Sequence, residues 1–229
     1  MSVETSIKNH QDIQTEYDKI FAAEGIRDED RAYRWFAKRV FSDNPSATAL
    51  LDLACGAGYF MRDLNNVYGG KIKLKGCDIS PKALEIAAQN CPSAVFSQSV
   101  AEKLPYRDAE FDVLTCLGSF EHFLDLNAAL SEIRRVTKKG ALIYIMVPNI
   151  VWYKDLLAVL LTKSRKVRNQ THERFASYGE WLDLFKGAGL TLVRSIKYNG
   201  IAKYRWKQFL KDLLVPERFS YHFVYILKN

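Results

Sequence analysis

From residue 49 onward, short apolar runs alternate with helical patterns, and this alternation restricts the fold more than any other feature. Ala49–Ala54 (ALLDLA), Lys73–Asp78 (KLKGCD), Ala94–Ser97, Phe111–Leu117 (FDVLTCL), Ala141–Val147 (ALIYIMV) and Leu190–Ile196 (LTLVRSI) read as strands. Tyr221–Leu227 (YHFVYIL) reads as a last one. Between them, Tyr59–Val67, Pro81–Gln89, Asn127–Val136 and Tyr178–Ala188 have helical periodicity, with Pro81 in a first turn and Gly189 at a C-cap. Near-continuous apolar strands separated by helices predict an α/β fold whose parallel sheet is covered on both faces. Two more helical stretches, about 11–23 and 29–41, precede the first strand.

The chain has 229 residues and is 48% hydrophobic, enough for one domain with a sizeable core. Such a composition excludes disordered, collagen-like and coiled-coil chains. The most apolar stretch, Ile150 to Leu161, is broken by Lys154 and Asp155, which argues against a membrane span. The opening MSVETSIKNH lacks the apolar core of a secretory signal, so a cytoplasmic location is expected. Cys55, Cys77, Cys91 and Cys116 form no C-x-x-C pair and have no His cluster nearby. Buried, reduced thiols are expected, with neither a disulfide framework nor a metal site.

Charge divides the chain. Residues 1–149 carry 18 Lys or Arg against 20 Asp or Glu, whereas residues 150–219 carry 14 against 6. That excess falls mainly in two segments that break the alternation, 150–171 and 198–220. They are expected to be basic caps folded over one rim of a single domain spanning 1–229, with 1–44 as an N-terminal helical segment. An acidic partner should meet the protein at these caps. The first segment suits a substrate lid, a membrane-surface element or ordinary packing. In Tyr204–Leu214 (YRWKQFLKDLL) aromatic and basic residues interleave, which would suit nucleic acid or an anionic lipid surface. An amphipathic helix lying over the sheet is the expected reading.

The first strand runs directly into Asp52-Leu53-Ala54-Cys55-Gly56-Ala57-Gly58. Glycines at a strand-to-helix turn let backbone approach a ligand closely, and the next helix offers unpaired N–H groups. Asp78 ends the second strand, 20 residues after Gly58. In such sheets an acid there reaches a ribose, so a nucleoside ligand at the carboxyl ends of the strands follows. A dinucleotide fingerprint needs a third glycine where Met61 stands, and no P-loop lysine follows the turn. A nicotinamide oxidoreductase is therefore disfavoured.

These segments resemble the class I S-adenosylmethionine-dependent methyltransferases, in particular the small-molecule branch called methyltransferase type 11. LDLACGAGYF is similar to that family's first motif, and CDISPKALEIA to its second. AEKLPYRDAEFDVLTCLGSFEHFLD is similar to its third and fourth, and RFASYGEWLDLFKGAGL to its late helix and turn. The resemblance covers roughly 45–197. It implies a Rossmann-like, doubly wound seven-stranded sheet with the last strand antiparallel, and S-adenosylmethionine as cofactor. It further implies that Ala54, Gly56 and Gly58 lie against the cofactor and that Asp52 orders its amino group. Asp78 would bind the ribose and Ile79 would pack on the adenine. The backbone of Ala101 would meet the adenine ring, the Leu117 carbonyl the methionine amine, and Tyr17 would sit in a helix closing over the cleft. Where the family often has an acid reading the adenine amine, this chain has Val100.

Methyl transfer is an in-line displacement whose catalysis rests mainly on alignment and water exclusion. An oxygen or nitrogen acceptor must also lose a proton, for which His122 and His172 are the candidate bases. Related quinone-pathway enzymes bind a metal with a Glu three residues before a similar Glu-His pair. Here that position is Gly118, so no metal is expected. The basic caps favour a small anionic or amphiphilic acceptor, such as a nucleotide-linked sugar. Peripheral membrane contact through the caps is a further expectation. An RNA methyltransferase is one alternative, disfavoured because LGSFEH stands where a base-reading N-P-P-Y-like motif would follow the fourth strand. A non-catalytic cofactor-binding module is another.

Overall fold

The computed structural model describes residues 9–23, 30–152, 174–200, 213–216 and 219–229. Two helices come first, α1 (His10–Ala23) and α2 (Asp30–Asp43). An alternating series follows: β1 (Ala49–Leu53), α3 (Tyr59–Tyr68), β2 (Lys73–Asp78), α4 (Pro81–Asn90), β3 (Val95–Gln98) and β4 (Phe111–Leu117). A single 3-10 turn, Phe120–His122, leads to α5 (Leu126–Val136) and β5 (Thr137–Pro148). The series ends with α6 (Tyr178–Gly187), β6 (Thr191–Tyr198) and β7 (His222–Lys228).

The strands form one seven-stranded sheet in the order β3-β2-β1-β4-β5-β7-β6. The first five are parallel, while β7 runs antiparallel to both β5 and β6. Chain order turns back at β1, whose two neighbours are β2 and β4. A ligand crevice forms at the carboxyl ends of the strands at such a switch point.

Consecutive strand residues face opposite sides of the sheet and feed two cores. Leu51, Leu53, Leu114, Ile143, Ile145 and Tyr225 pack toward Ile133 of α5 and Trp181 and Phe185 of α6. Leu50, Val113, Tyr144, Val224 and Ile226 pack toward Phe36 and Val40 of α2 and Phe60 and Leu64 of α3. Side-chain caps set the starts of three helices. The Ser80 hydroxyl accepts the Ala83 N–H ahead of Pro81, and the Asp125 carboxylate accepts those of Asn127 and Ala128. Ser177 and Glu180 form a reciprocal capping box.

At two boundaries the difference from the sequence reading has a visible cause. β5 begins at Thr137 and not Ala141, because Thr137 pairs with Phe111 before a bulge spanning Phe111 to Val113. The polar residues Lys138 and Lys139 hid that start. Ala188 caps α6, and Gly189 follows it with φ 81°, its N–H donating to the Lys186 carbonyl. The four cysteines are free and buried. Most of the two expected basic caps, residues 153–173 and 201–212, lies outside the described residues.

Candidate active site

The turn after β1 holds Ala54, Gly56 and Gly58 at φ 57°, 52° and 74°, all in the left-handed region. Two are glycines, which adopt it without cost; Ala54 pays about 1 kcal/mol. Gly58 also has a packing duty, since a Cβ there would lie 2.9 Å from that of Ala87 in α4. The close approach of α3 to the sheet is made from the strand side. A Cβ on Gly76 of β2 would stand 2.7 Å from the Met61 sulfur and 2.9 Å from the Cys55 sulfur. Met61 thus fills the space above Gly76, and the glycine that a dinucleotide turn has on the helix is here on the strand.

Beyond this turn lies a cleft with about 660 Å³ of space, counted out to its mouth. Its walls include Ala54 and Gly56 from the turn, Asp78 and Ile79 from the end of β2, Val100 and Ala101 after β3, and His122 after β4. Tyr17 of α1 closes the opposite side. Eight of the twelve residues singled out from sequence therefore share one cavity. Asp52 lies beneath it, 4% exposed, and accepts the Thr115 hydroxyl at 2.6 Å. Leu117 is not among the lining residues and packs on the sheet face toward α2 and α3. His172 lies outside the described residues.

Asp78 is buried, and its two oxygens take separate backbone donors, Gly56 N–H and Ser80 N–H, each at 2.9 Å. One carboxylate thus fixes the glycine turn to the start of α4. Burial raises its pKa, opposed by N–H bonds from Ser80, Gly56 and Ile79. Burial pushes the Asp52 carboxyl up to about 7, against the Thr115 hydrogen bond and with a further push from the Asp78 charge. His122 is 7% exposed; its ring meets that of Tyr17 edge-on at 6.3 Å, and its Nε2 stands 3.8 Å from Glu121 Oε1.

Sequence reasoning missed most of the wall contributed by α1. His10, Ile13, Tyr17 and Phe21 all line the cleft. Their spacing of three, four and four puts them on one helix face, a signal available in the sequence of which only Tyr17 was used. Polar contacts fasten this helix. His10 Nε2 meets Glu102 Oε2 at 3.2 Å, and the Ser80 hydroxyl donates to Asp18 at 2.5 Å while accepting from Ala83 N–H. Leu53, Ser99, Glu102, Ser119, Phe123 and Leu124 complete the wall. Arg174 supports that loop from behind, donating to the carbonyls of Phe123 and Leu124.

Comparison with known proteins agrees with this arrangement. Residues 51–145 match the family model described as a methyltransferase domain. A demethylmenaquinone methyltransferase of Chlorobaculum parvum is 35% identical over 101 residues, 44% of this chain and 41% of that protein. The chain thus spans about two fifths of the length of that relative. A demethylmenaquinone methyltransferase of Lactococcus lactis subsp. lactis is 26% identical over 211 residues, 82% of each chain. In structure, an S-adenosylmethionine-dependent methyltransferase from Aquifex aeolicus superposes with a TM-score of 0.63 at 16% identity, covering 94% of this chain and 98% of that one. With the motif-bearing turn, the acid at the end of β2 and the antiparallel β7 all in place, the match of residues 51–145 to the methyltransferase domain and the fold shared with such enzymes are consistent with a class I methyltransferase of the type 11 kind.

Proposed function

We propose that the protein transfers a methyl group from S-adenosylmethionine to a small amphiphilic or anionic acceptor, at oxygen or nitrogen. The observation that carries this reading is the convergence of Gly56, Asp78, Ile79, Ala101 and His122 on one cleft. The site suits the cofactor. The Gly56 backbone borders the cleft, and the Phe21 ring of α1 lies in contact over it, 3.4 Å from where a Cβ would stand. Bound there, the cofactor supplies a methyl group already activated on a sulfonium.

The remaining work falls to the chain itself. Asp78 accepts from ribose hydroxyls, Ile79 packs on the adenine and Ala101 offers its N–H to the ring. Ala54, Gly56 and Gly58 shape the turn, and Asp52, ionised, orders the cofactor's amino group, with the Leu117 carbonyl nearby. Val100 provides an apolar contact where an acid would read the adenine amine. Tyr17, Phe21, Phe123 and Leu124 exclude water, which strengthens every polar contact inside. His122 takes the acceptor proton at its ring nitrogen. His172 is a second candidate base. The amphiphilic acceptor is supported by the quinone named for the two relatives and by the apolar residues Ile13, Phe21, Phe123 and Leu124 that line the cleft.

Calorimetric titration with S-adenosylhomocysteine tests the cofactor assignment. Saturable binding is expected, and Gly56→Val should abolish it by straining a position at φ 52°. Binding of NADH to the exclusion of the sulfur ligand would overturn the reading. For the base, His122→Ala should lower kcat about 100-fold while leaving cofactor affinity within a factor of two or so.

A further inference from the structure

Asp52 and Asp78, both buried, are held in different ways. Asp78 is fixed by two backbone N–H groups. Asp52 takes one hydrogen bond, from a side chain of the neighbouring strand, the Thr115 hydroxyl at 2.6 Å. That is the length of an O–H donor on an ionised carboxylate. Among the described residues the other Asp52 oxygen accepts no hydrogen bond.

The sheet explains why this falls to Thr115. Asp52 stands in register between Gly76 of β2 and Thr115 of β4. Gly76 has no side chain, and the space beside it is taken by the Met61 and Cys55 sulfurs. Thr115 is fully buried and shares its face of β4 with Val113 and Leu117, which pack toward α2 and α3. A valine would continue that apolar row, so the buried hydroxyl needs a partner that justifies it. Its two acceptors are unequal, Asp52 at 2.6 Å and the Leu51 carbonyl at 3.5 Å. The pair gives the hydroxyl two settings. It donates to Asp52 when that group is ionised. When Asp52 holds a proton, the hydroxyl accepts the carboxyl O–H and turns its own hydrogen toward Leu51.

No cation takes over this task. Among the described residues, the titratable groups whose charge acts on Asp52 or feels it are Asp78 and the thiols of Cys55, Cys77 and Cys116. Burial raises all three thiols, so they stay neutral. On α3 the first charges, Arg62 and Asp63, face each other at 3.7 Å. Burial and the Asp78 charge both disfavour an ionised Asp52, and the Thr115 hydroxyl opposes them.

We infer that Thr115 is a positioning residue for the methyl donor: its hydroxyl holds Asp52 ionised and turned so that the open oxygen takes the ligand's ammonium group. The inference rests on the proposed cofactor and adds the group that readies the acid for it.

The test is calorimetric titration of Thr115→Val with S-adenosylhomocysteine between about pH 6 and 9, beside the parent and Thr115→Ser. The valine variant should bind about fivefold more weakly at pH 7. The gap should close toward pH 9, because the pH at which binding tightens moves up by about one unit. The ligand's own amine titrates in this range too, but it cancels in the ratio of the two dissociation constants. Thr115→Ser, which keeps the donor, should follow the parent. A cavity or a shifted strand would instead weaken binding alike at every pH, and serine would not cure it. Without ligand, the parent's stability in urea levels off above about 7, and that of Thr115→Val should keep falling beyond it. Should the valine variant not fold, Thr115→Ala takes its place. The inference is overturned if valine variant and parent bind alike at every pH, if the ratio is independent of pH, or if serine behaves as valine. A parent that binds no sulfur ligand fails the cofactor assignment itself, a result seen without any variant, and the inference falls with it.

Discussion

The two ends of the sheet treat carboxylates in opposite ways. At the amino end, the Asp112 carboxylate accepts from Thr48 N–H, the Thr48 hydroxyl, Ala49 N–H and Lys138 Nζ at 2.6–3.0 Å. Burial opposes ionisation there, yet these donors hold its pKa down to about 2. Beside it, Glu110 pairs with Lys75 at 2.5 Å, and its pKa is lowered despite the cost of burial. At the carboxyl end, Asp52 and Asp78 are buried among a hydroxyl and backbone N–H groups, and both pKa values are raised, chiefly by burial. One end uses charge to pin β1, β4 and β5 together. The other keeps carboxylates short of positive charge, which a cationic ligand is suited to supply.

The largest effect that would break this contrast is on binding. Asp78→Ala should weaken S-adenosylhomocysteine by about 4 kcal/mol, roughly a thousandfold, because two charge-assisted hydrogen bonds to the ligand vanish. Unchanged affinity by calorimetry would remove Asp78 from the site. The next effect lies in the pH dependence of stability. The native Asp52 carboxyl, at about 7, keeps a proton that the unfolded chain releases near its ordinary value of 3.8. Ligand-free stability should therefore fall as pH rises between these two values. Asp52→Asn should flatten that limb, which amounts to about 4 kcal/mol. Cofactor binding should correspondingly tighten as pH rises through about 7, with proton release visible in buffers of different ionisation enthalpy.

Asp112 sharpens the comparison from the other side. Asp112→Ala should lower the unfolding free energy by about 2 kcal/mol in urea, since it leaves the Thr48 and Ala49 N–H groups without their acceptor. Cofactor affinity should not change. The sign with pH is also reversed. The stabilisation from Asp112 is complete above its ordinary value of 3.8 and is lost as pH falls toward about 2. The smallest effect is at the neighbouring pair. Lys75 and Glu110 are partly solvated, so Glu110→Gln should cost under about 1 kcal/mol.

Much of the scaffold was legible because it depends on local pattern. The run ALLDLA, the Pro81 start and the helical pattern of Tyr178–Ala188 state their structure within a few residues. Asp78 was legible for the same reason, as an acid at a strand end at a set distance from a glycine turn. What escaped depends on contacts between segments far apart in the chain. Phe21 reaches Gly56, His10 reaches Glu102, and Thr115 meets Asp52 only because β1 and β4 pair in register there. The early start of β5 was hidden in a similar way, its Lys138 being polar in sequence yet partnered in the sheet by Asp112.

The interlock of Met61 with Gly76 binds two distant positions into one unit of inheritance. Neither can drift alone: bulk added at 76 strikes the sulfur, and a smaller residue at 61 opens a void above the strand. Anyone grafting the 52–61 turn into another nucleotide-binding sheet must bring the second strand's glycine with it.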